Sequence, residues 1–389
     1  MHPFYTILLS FFLLLPWSAR AQDKPKLHVG GALRFNYNLS DWKDEQMKRG
    51  GDFGYDLFRI NAKADYKNIT LNAEYRLYAQ DFGGGMLKQG WLGYALSEQD
   101  ELQLGLTQVP FGIGTYNSNS FFFSMAYYAG LEDDYDMGLK YSHAGERWEY
   151  DLAFFKNAEE LRFGNVSDLS NSRYAYDAGT FTDGEGKKHY RNKEVNQLNA
   201  RVIYKLAEDE AKHKLGASGS FGGLYNLDTE DMGTRYALAL HYQLTYRRWD
   251  LKAQLASYEF RAANPETEPS DQVALTAFGA PYLIASEARI YTLALAYNIP
   301  VQWGPISSVK LYNDFGWMDK TKKSFEDSYM NVAGAMVTAG NLYTYIDCAM
   351  GKNQPWLGSV WTTALSNGSP EAAKAEWSVR YNINFGYYF

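Results

Sequence analysis

Nine basic side chains stand in segments where apolar and polar residues alternate. They are Arg34, Arg59, Lys63, Arg76, Lys140, Arg201, Arg235, Lys252 and Arg380. If these segments are β-strands, the basic groups lie opposite the apolar ones, because successive residues of a strand point to opposite faces. A ring of positive charge around a narrow watery space would concentrate anions. Arg34, Arg59 and Arg76 are the preferred three, because neighbouring strands could cluster them.

Acidic side chains on the same polar faces allow a second interpretation of these charges. Asp65, Glu74 and Asp151 belong to those faces. The basic groups could therefore pair across strands and stiffen a wall instead of attracting anions.

A separate acidic run, Glu132-Asp133-Asp134 followed by Asp136, offers oxygen ligands suited to Ca²⁺. It lacks the glycine and the glutamate of an EF-hand loop. We interpret it as a solvated acidic loop, and we predict no metal site and no cofactor.

Little in the sequence points to catalysis. The motifs Gly-x-Ser-x-Gly and His-Glu-x-x-His are missing from the sequence, and the histidines are scattered without the paired spacing of metal ligands. His189 and Asp183 are one loose hint of a hydrolytic pair. We expect no enzymatic activity, with a membrane-barrel hydrolase as the alternative.

The elements that must position these groups are clearest in the segment from Trp377 to Phe389. One face carries only apolar side chains: Trp377, Val379, Tyr381, Ile383, Phe385, Tyr387 and Phe389. The other face is mostly polar. Such a strand, ending on an aromatic residue, is typical of bacterial outer-membrane barrels, where one face meets lipid and the other meets a watery lumen.

The same alternation recurs along the chain, between connectors that switch from short to long. Examples are Lys26 to Asn38 and Ile69 to Gln80, and Val273 to Leu275 could be an extra strand within a long loop. The pattern predicts an all-β fold, a transmembrane antiparallel up-and-down β-barrel of about 16 strands. Fourteen to eighteen strands are compatible with it, and residues 22–389 form one domain.

Composition agrees with a barrel. Aromatic residues make up 16% of the chain, with 32 Tyr, 22 Phe and 10 Trp, which suits the aromatic girdles of membrane barrels. The formal net charge of −7 argues against a nucleic-acid partner. The single cysteine, Cys348, excludes an internal disulfide.

Residues 1–21 are predicted to be a secretory signal peptide. An apolar run from Phe4 to Trp17 precedes Ala19-Arg20-Ala21, an A-x-A cleavage site that would leave Gln22 as the first mature residue. The alternative is an N-terminal membrane anchor. No later apolar run approaches the ~20 residues of a spanning helix, so spanning requires a closed barrel.

One motif carries a family resemblance. Gly105-Leu106-Thr107-Gln108-Val109-Pro110-Phe111-Gly112 resembles a signature of the phosphate-selective porins O and P. That family has a basic residue where Gln108 stands here, a departure that bears on phosphate selectivity. The resemblance implies a passive, water-filled channel in the outer membrane of a Gram-negative bacterium. The implied partners are outer-membrane lipid, lipopolysaccharide and small polar or anionic solutes such as phosphate, with assembly as a homotrimer.

The segment after this motif is predicted to be a constriction loop. In porins of this size the third loop often folds into the barrel, and here Ile113 to Asp134 follows the fifth strand. The candidate constriction residues are Pro110, Phe111, Gly112, Tyr116, Asn117 and Asn119. Inward folding would bury the Phe121 to Phe123 run and present Asn117, Asn119 and Ser120 to water. The alternatives are an exterior loop and, from the aromatic residues, an oligosaccharide-specific channel.

Overall fold

The computed structural model describes residues 25–159, 173–208, 210–368 and 376–389. The signal peptide and cleavage site predicted over residues 1–21 lie outside these ranges. Among the described residues, no helix combines the length and the apolar character needed to cross a bilayer.

Within the described ranges, sixteen antiparallel strands close into one barrel. This confirms the predicted fold class and strand number. The strands of the wall are β1 (Lys26–Ser40), β2 (Asp52–Tyr66), β3 (Ile69–Leu77), β4 (Gly85–Ala95), β5 (Asp100–Gln108), β6 (Tyr135–Ala144), β7 (Trp148–Ala158), β11 (Asn192–Glu208), β12 (Ala211–Asn226), β13 (Met232–Tyr246), β14 (Trp249–Arg261), β17 (Glu287–Trp303), β18 (Ile306–Lys320), β19 (Ser328–Ala339), β20 (Leu342–Lys352) and β21 (Ser378–Tyr388).

The remaining elements belong to the connectors. A six-residue helix, α1 (Asp44–Arg49), lies between β1 and β2. The short loop strands are β8 (Asp177–Ala178), β9 (Phe181–Thr182), β10 (Lys188–His189), β15 (Gln272–Thr276) and β16 (Tyr282–Ala285). The extra strand predicted at Val273 to Leu275 is thus a strand. It pairs with β16 and β8 in a small separate sheet and does not join the wall.

The barrel closes between its first and last strands. β1 pairs with β21 in a continuous register from Ala32 opposite Tyr388 to Ser40 opposite Arg380. Gly31 and Phe389 extend the seam by exchanging two backbone hydrogen bonds of 2.8 and 3.0 Å. The tight turns between strands lie at the end of the barrel that contains Gly31 and Phe389, and the long connectors lie at the opposite end.

The two faces of the wall differ as the sequence pattern requires. On β21, Tyr381 is 50% exposed and Phe385 is 38% exposed. Asn382 and Asn384, which lie between them in the sequence, are each 1% exposed. Leucine, valine and aromatic side chains are exposed in the same alternating way on the other strands. The outer surface is therefore an apolar belt, and the polar residues of the strands point inward.

The buried apolar residues lie mainly inside the barrel. Met125 and Tyr128 of the β5–β6 loop form a cluster with Tyr282 and Ile284 of the small inner sheet and with Leu357 of the last loop. Because the outer face meets lipid, this core is built from loops that enter the barrel and from the inward side chains near them.

Candidate pore constriction

The β5–β6 loop, residues 109–134, enters the barrel and crosses to its far wall. Its base is closed by a hydrogen bond of 2.9 Å from the Val109 amide to the Asp134 carbonyl. From there its residues contact strands that are distant from β5 and β6 in the barrel order. The exterior-loop alternative does not describe this geometry.

The Pro-Phe-Gly segment makes the first crossing contacts. The Gly112 amide donates to Ser218 Oγ of β12 at 2.8 Å, and the Ile113 amide donates to Gln254 Oε1 of β14 at 2.9 Å. Gly112 has a φ of +56°. A Cβ atom there would lie 2.2 Å from Gln254 Oε1, so an alanine would have to displace the amide oxygen that accepts the hydrogen bond from Ile113. Pro110 and Phe111 are buried beside it.

The middle of the loop is anchored on β17 and β18. Asn117 Nδ2 donates to Thr292 Oγ1 at 2.9 Å. Asp314 accepts three hydrogen bonds, from the Asn119 amide at 2.8 Å, from Asn119 Nδ2 at 3.0 Å and from the Ser120 amide at 2.7 Å. One inward carboxylate thus satisfies two backbone donors of a loop segment that has no sheet partner.

The exposure predicted for the asparagines is wrong for Asn117. Its side chain is 1% exposed and bonded to the wall, so it does not face water. Asn119 and Ser120 are half-buried against Asp314. Among the predicted constriction residues, Tyr116 has a large exposed side chain, at 41%. Sequence reasoning placed the loop but not the direction of each side chain within it.

The phenylalanine run packs against basic groups of the wall. The Arg34 guanidinium lies 5.5 Å from the Phe121 ring centroid, and the Arg380 guanidinium lies 5.5 Å from that of Phe122. These cation–π contacts join the loop to β1 and β21, so the loop reaches strands on both sides of the seam.

Six of the nine predicted basic residues have a carboxylate partner. Arg34 lies 2.8 Å from Asp56, and Arg59 and Arg76 share Glu74 at 3.7 and 2.6 Å. Arg59 and Arg76 are also direct cross-strand neighbours, as expected for clustered strands. The other three pairs are Lys63 with Asp65, Arg201 with Asp151, and Arg235 with Glu194. For these six residues, the structure therefore agrees with the interpretation that the basic groups pair with carboxylates and stiffen the wall.

The other three basic residues hydrogen-bond to neutral oxygen atoms. Lys140 donates to the Gln108 carbonyl at 2.9 Å, and Lys252 donates to the carbonyls of Tyr116 and Ser118 at 2.8 and 3.1 Å. Arg380 donates to Asn38 Oδ1 at 2.9 Å. A neutral acceptor holds a cation in place without cancelling its charge.

Lys88 is a buried basic residue that sequence reasoning missed. Its ammonium group bonds to Asp133 at 2.9 Å and lies 4.6 Å from the ring centroid of Tyr174, in a site where Lys88 is 3% exposed. Tyr174 also donates to Asp133 at 2.5 Å. The alternation of β4 placed Lys88 on the inward face and could have identified it.

The acidic run is not the solvated loop that the sequence suggested. Glu132, Asp133, Asp134 and Asp136 are all buried inside the barrel. Burial raises the pKa of Glu132 to about 7, against the hydrogen bonds that it accepts from Ser124 and the Asn117 amide. Burial first and neighbouring carboxylates second raise the pKa of Asp134 well above its usual range. The interpretation failed because it treated the loop as external.

The loose catalytic hint is a real contact. His189 Nε2 lies 2.9 Å from Asp183 Oδ2, and His189 Nδ1 lies 3.3 Å from Glu268 Oε1. A hydrolytic triad needs one ring nitrogen directed at a nucleophile. Here carboxylates contact both nitrogens, which is the arrangement of a structural clamp between loops.

Comparison with known proteins gives matches of fold only. No family model matches the sequence, and no curated protein sequence matches it. The chain is similar to OmpT, an outer-membrane protein of Vibrio cholerae in its trimer form, with 14% identity and a TM-score of 0.57 over 94% of this chain and 100% of that chain. The outer-membrane channel DcaP of Acinetobacter baumannii is 12% identical to this chain, with a TM-score of 0.58 over 95% of this chain and 100% of that chain. An anion-selective porin from Comamonas acidovorans is 12% identical to this chain, with a TM-score of 0.57 over 94% of this chain and 100% of that chain. The chain thus has the fold of an outer-membrane β-barrel.

Proposed function

We propose that this chain is a passive outer-membrane porin that lets small polar solutes diffuse through its barrel, with a preference for anions such as phosphate. The observation that carries the proposal is the loop of residues 109–134, which crosses the barrel interior and is bonded to β12, β14, β17 and β18. A loop fixed across a barrel narrows the path, so the groups beside it decide which solutes pass. No energy source is needed for such diffusion.

The anion preference rests on the basic groups that lack a carboxylate bond. Lys252 bonds directly to the loop carbonyls, Lys140 bonds at the base of the loop, and Arg380 lies beside Phe122. Their charge is held at the narrowed part of the path, where low-dielectric walls strengthen its field. The Comamonas acidovorans porin of the same fold is described as anion-selective, which favours this reading.

The phosphate component rests on the neighbourhood of Gln108. The family that the motif resembles has a basic residue at this position, and Lys140 brings an ammonium group within 2.9 Å of the Gln108 carbonyl from the adjacent strand. We propose that Lys140 supplies the positive charge that the glutamine lacks. Phosphate would then bind briefly at this point of the path.

Planar-bilayer recording tests the proposal. In a KCl gradient, we expect the reversal potential to indicate anion preference, and we expect neutralising Lys140, Lys252 and Arg380 by glutamine to move it toward cations. The matched control is Arg34→Gln combined with Asp56→Asn, which removes one charge of each sign and should change selectivity little. Phosphate should block the chloride current in a saturable way. Absence of conductance would refute the porin, and an unchanged potential in the triple variant would refute the basic filter.

An oligosaccharide channel is a second candidate, favoured by aromatic residues at the loops. Trp356 stacks on the exposed Phe82 with ring centroids 6.1 Å apart, and Trp361 lies against Trp356 at 4.9 Å. Exposed aromatic faces bind sugar rings. Saturable block of the current by an oligosaccharide, lost in Trp356→Ala, would support this candidate over the general porin.

Processing and assembly complete the proposal. We propose that residues 1–21 direct secretion and are removed before Gln22. We also propose a homotrimer in the outer membrane, since OmpT of the same fold is described in a trimer form. Mass spectrometry of the purified protein and its molar mass in detergent test these two points.

A further inference from the structure

The strongest unexplained feature is a buried acidic cluster where the constriction loop meets the wall. Asp134 ends the loop, Asp136 lies on β6, and Asp177 lies on β8 of the small inner sheet. One carboxylate oxygen from each of the three lies within 4.8 Å of the others. Two oxygen ligands of a Ca²⁺ ion, each at about 2.4 Å, are separated by at most this distance.

Charges around these three residues do not balance within the described ranges. Glu159 and Glu194 lie close by, which makes five buried carboxylates. Two guanidinium groups face them: Arg173 lies 3.1 Å from Asp177, and Arg235 pairs with Glu194. If all of these groups are ionised, three negative charges are left in a site from which water is largely excluded. Unbalanced buried charge is costly, so the site requires protons or a cation.

An independent observation comes from Gln197 of β11. This residue is 3% exposed, its Nε2 lies 3.3 Å from Asp136 Oδ2, and its Oε1 has no hydrogen-bond partner among the described residues. An amide oxygen is a ligand that Ca²⁺ accepts alongside carboxylates. In a buried side-chain amide, the nitrogen rarely donates a hydrogen bond while the oxygen accepts none, unless another group binds that oxygen.

A small cavity adjoins Asp134 and Gln197 of this cluster. A cavity of about 10 Å³, room for the centre of one water-sized sphere, is lined by Asp134, Gln197, Asn199 and Arg235. Asp134 Oδ1, Asp136 Oδ1 and Asp177 Oδ1 are also without hydrogen-bond partners in the described part of the chain. Asp136 and Asp177 do not line this cavity, but each brings a carboxylate oxygen within 4.8 Å of one of Asp134, so the cavity lies at the edge of the cluster.

We propose that Asp134, Asp136 and Asp177, with Gln197, bind one Ca²⁺ ion that fastens the constriction loop to the wall and to the inner sheet. The ion would link three segments that come from separate parts of the sequence. Three carboxylates and an amide oxygen favour Ca²⁺ over Mg²⁺, which demands a regular octahedron and keeps several of its waters. The proposal concerns binding and does not depend on whether the barrel conducts.

Calorimetric titration of Ca²⁺ into the folded, lipopolysaccharide-free protein in a zwitterionic detergent tests the proposal. We expect one ion to bind per chain, and we expect the melting temperature to be higher in Ca²⁺ than in EGTA. Asp134→Asn and Asp136→Asn keep the side-chain shape and each should weaken binding by about tenfold or more. Asp231→Asn, which changes an exposed loop residue, is the matched control and should bind as the wild type does.

Both variants should fold, because each removes a repelling charge. In EGTA their melting temperature should equal or exceed that of the wild type, and heat modifiability on gels reports that the barrel has formed. If the wild type binds no Ca²⁺ at millimolar concentration, the proposal is refuted. It is equally refuted if both Asn variants bind Ca²⁺ as tightly as the Asp231→Asn control.

Discussion

Asp314→Ala should release the middle of the constriction loop. Asp314 is buried and accepts three hydrogen bonds from Asn119 and Ser120. A hydrogen bond to a charged group contributes about 1.5 kcal/mol or more, so three give a gross loss of about 4.5 kcal/mol. Water entering the vacated space and the removal of a buried charge offset roughly half of this loss. A net loss of about 2 kcal/mol raises the population of released loop about 30-fold.

Limited proteolysis and single-channel recording measure this release. Cleavage between residues 113 and 123 should become faster in Asp314→Ala, and the open-channel current should become noisier. Asp319→Ala is the matched control, because Asp319 lies on the same strand with the opposite side-chain direction and pairs only weakly with Arg289, at 3.9 Å. If Asp314→Ala resists protease as well as the control does, the carboxylate does not anchor the loop.

Three further substitutions test the packing inside the barrel. Gly112→Ala should lower the free energy of unfolding by about 2 kcal/mol, as measured by urea denaturation, whereas Gly304→Ala, at a φ of +59° with open space around it, should cost only about 1 kcal/mol. Equal losses would refute the close approach at Gly112. The pKa of Glu132 is raised from 4.5 to about 7 by burial, so the folded chain keeps a proton that the unfolded chain loses. Stability should therefore fall as the pH rises through this window, and Glu132→Gln should flatten the melting temperature between about pH 5 and pH 8. Lys88→Met should lower the free energy of unfolding by about 3 kcal/mol or more, as measured by urea denaturation, because it leaves Asp133 buried without its cation. An unchanged urea midpoint would contradict this pairing.

The wall of the barrel was predictable because lipid imposes a simple rule on it. An outward side chain must be apolar and its neighbours must face inward, so period-two alternation survives in each strand. The alternation predicts β3 from Ile69 to Gln80, whereas the strand runs over Ile69–Leu77 and ends three residues earlier. The Val273 segment shows where the rule stops, since it forms a strand in an inner sheet for which lipid sets no pattern.

The interior was harder to predict because its contacts are long-range. Asn119 and Asp314 are 195 residues apart in the chain, and Lys88 and Asp133 are 45 apart. No local pattern fixes which inward carboxylate meets which loop residue. The alternating pattern therefore predicts nine basic side chains on the polar faces and omits Lys88, and it does not determine that Arg76 bonds Glu74 while Lys252 bonds loop carbonyls.

The seam between β1 and β21 has a consequence for biogenesis. The strand Lys26–Ser40 finds one of its two neighbours only in Ser378–Tyr388, which the ribosome makes more than three hundred residues later. Until then, β1 carries an open edge of backbone donors and acceptors, which is a template for mispairing. The barrel therefore cannot close before its last strand has been made, and the free edge of β1 must be kept from pairing with other chains until that moment.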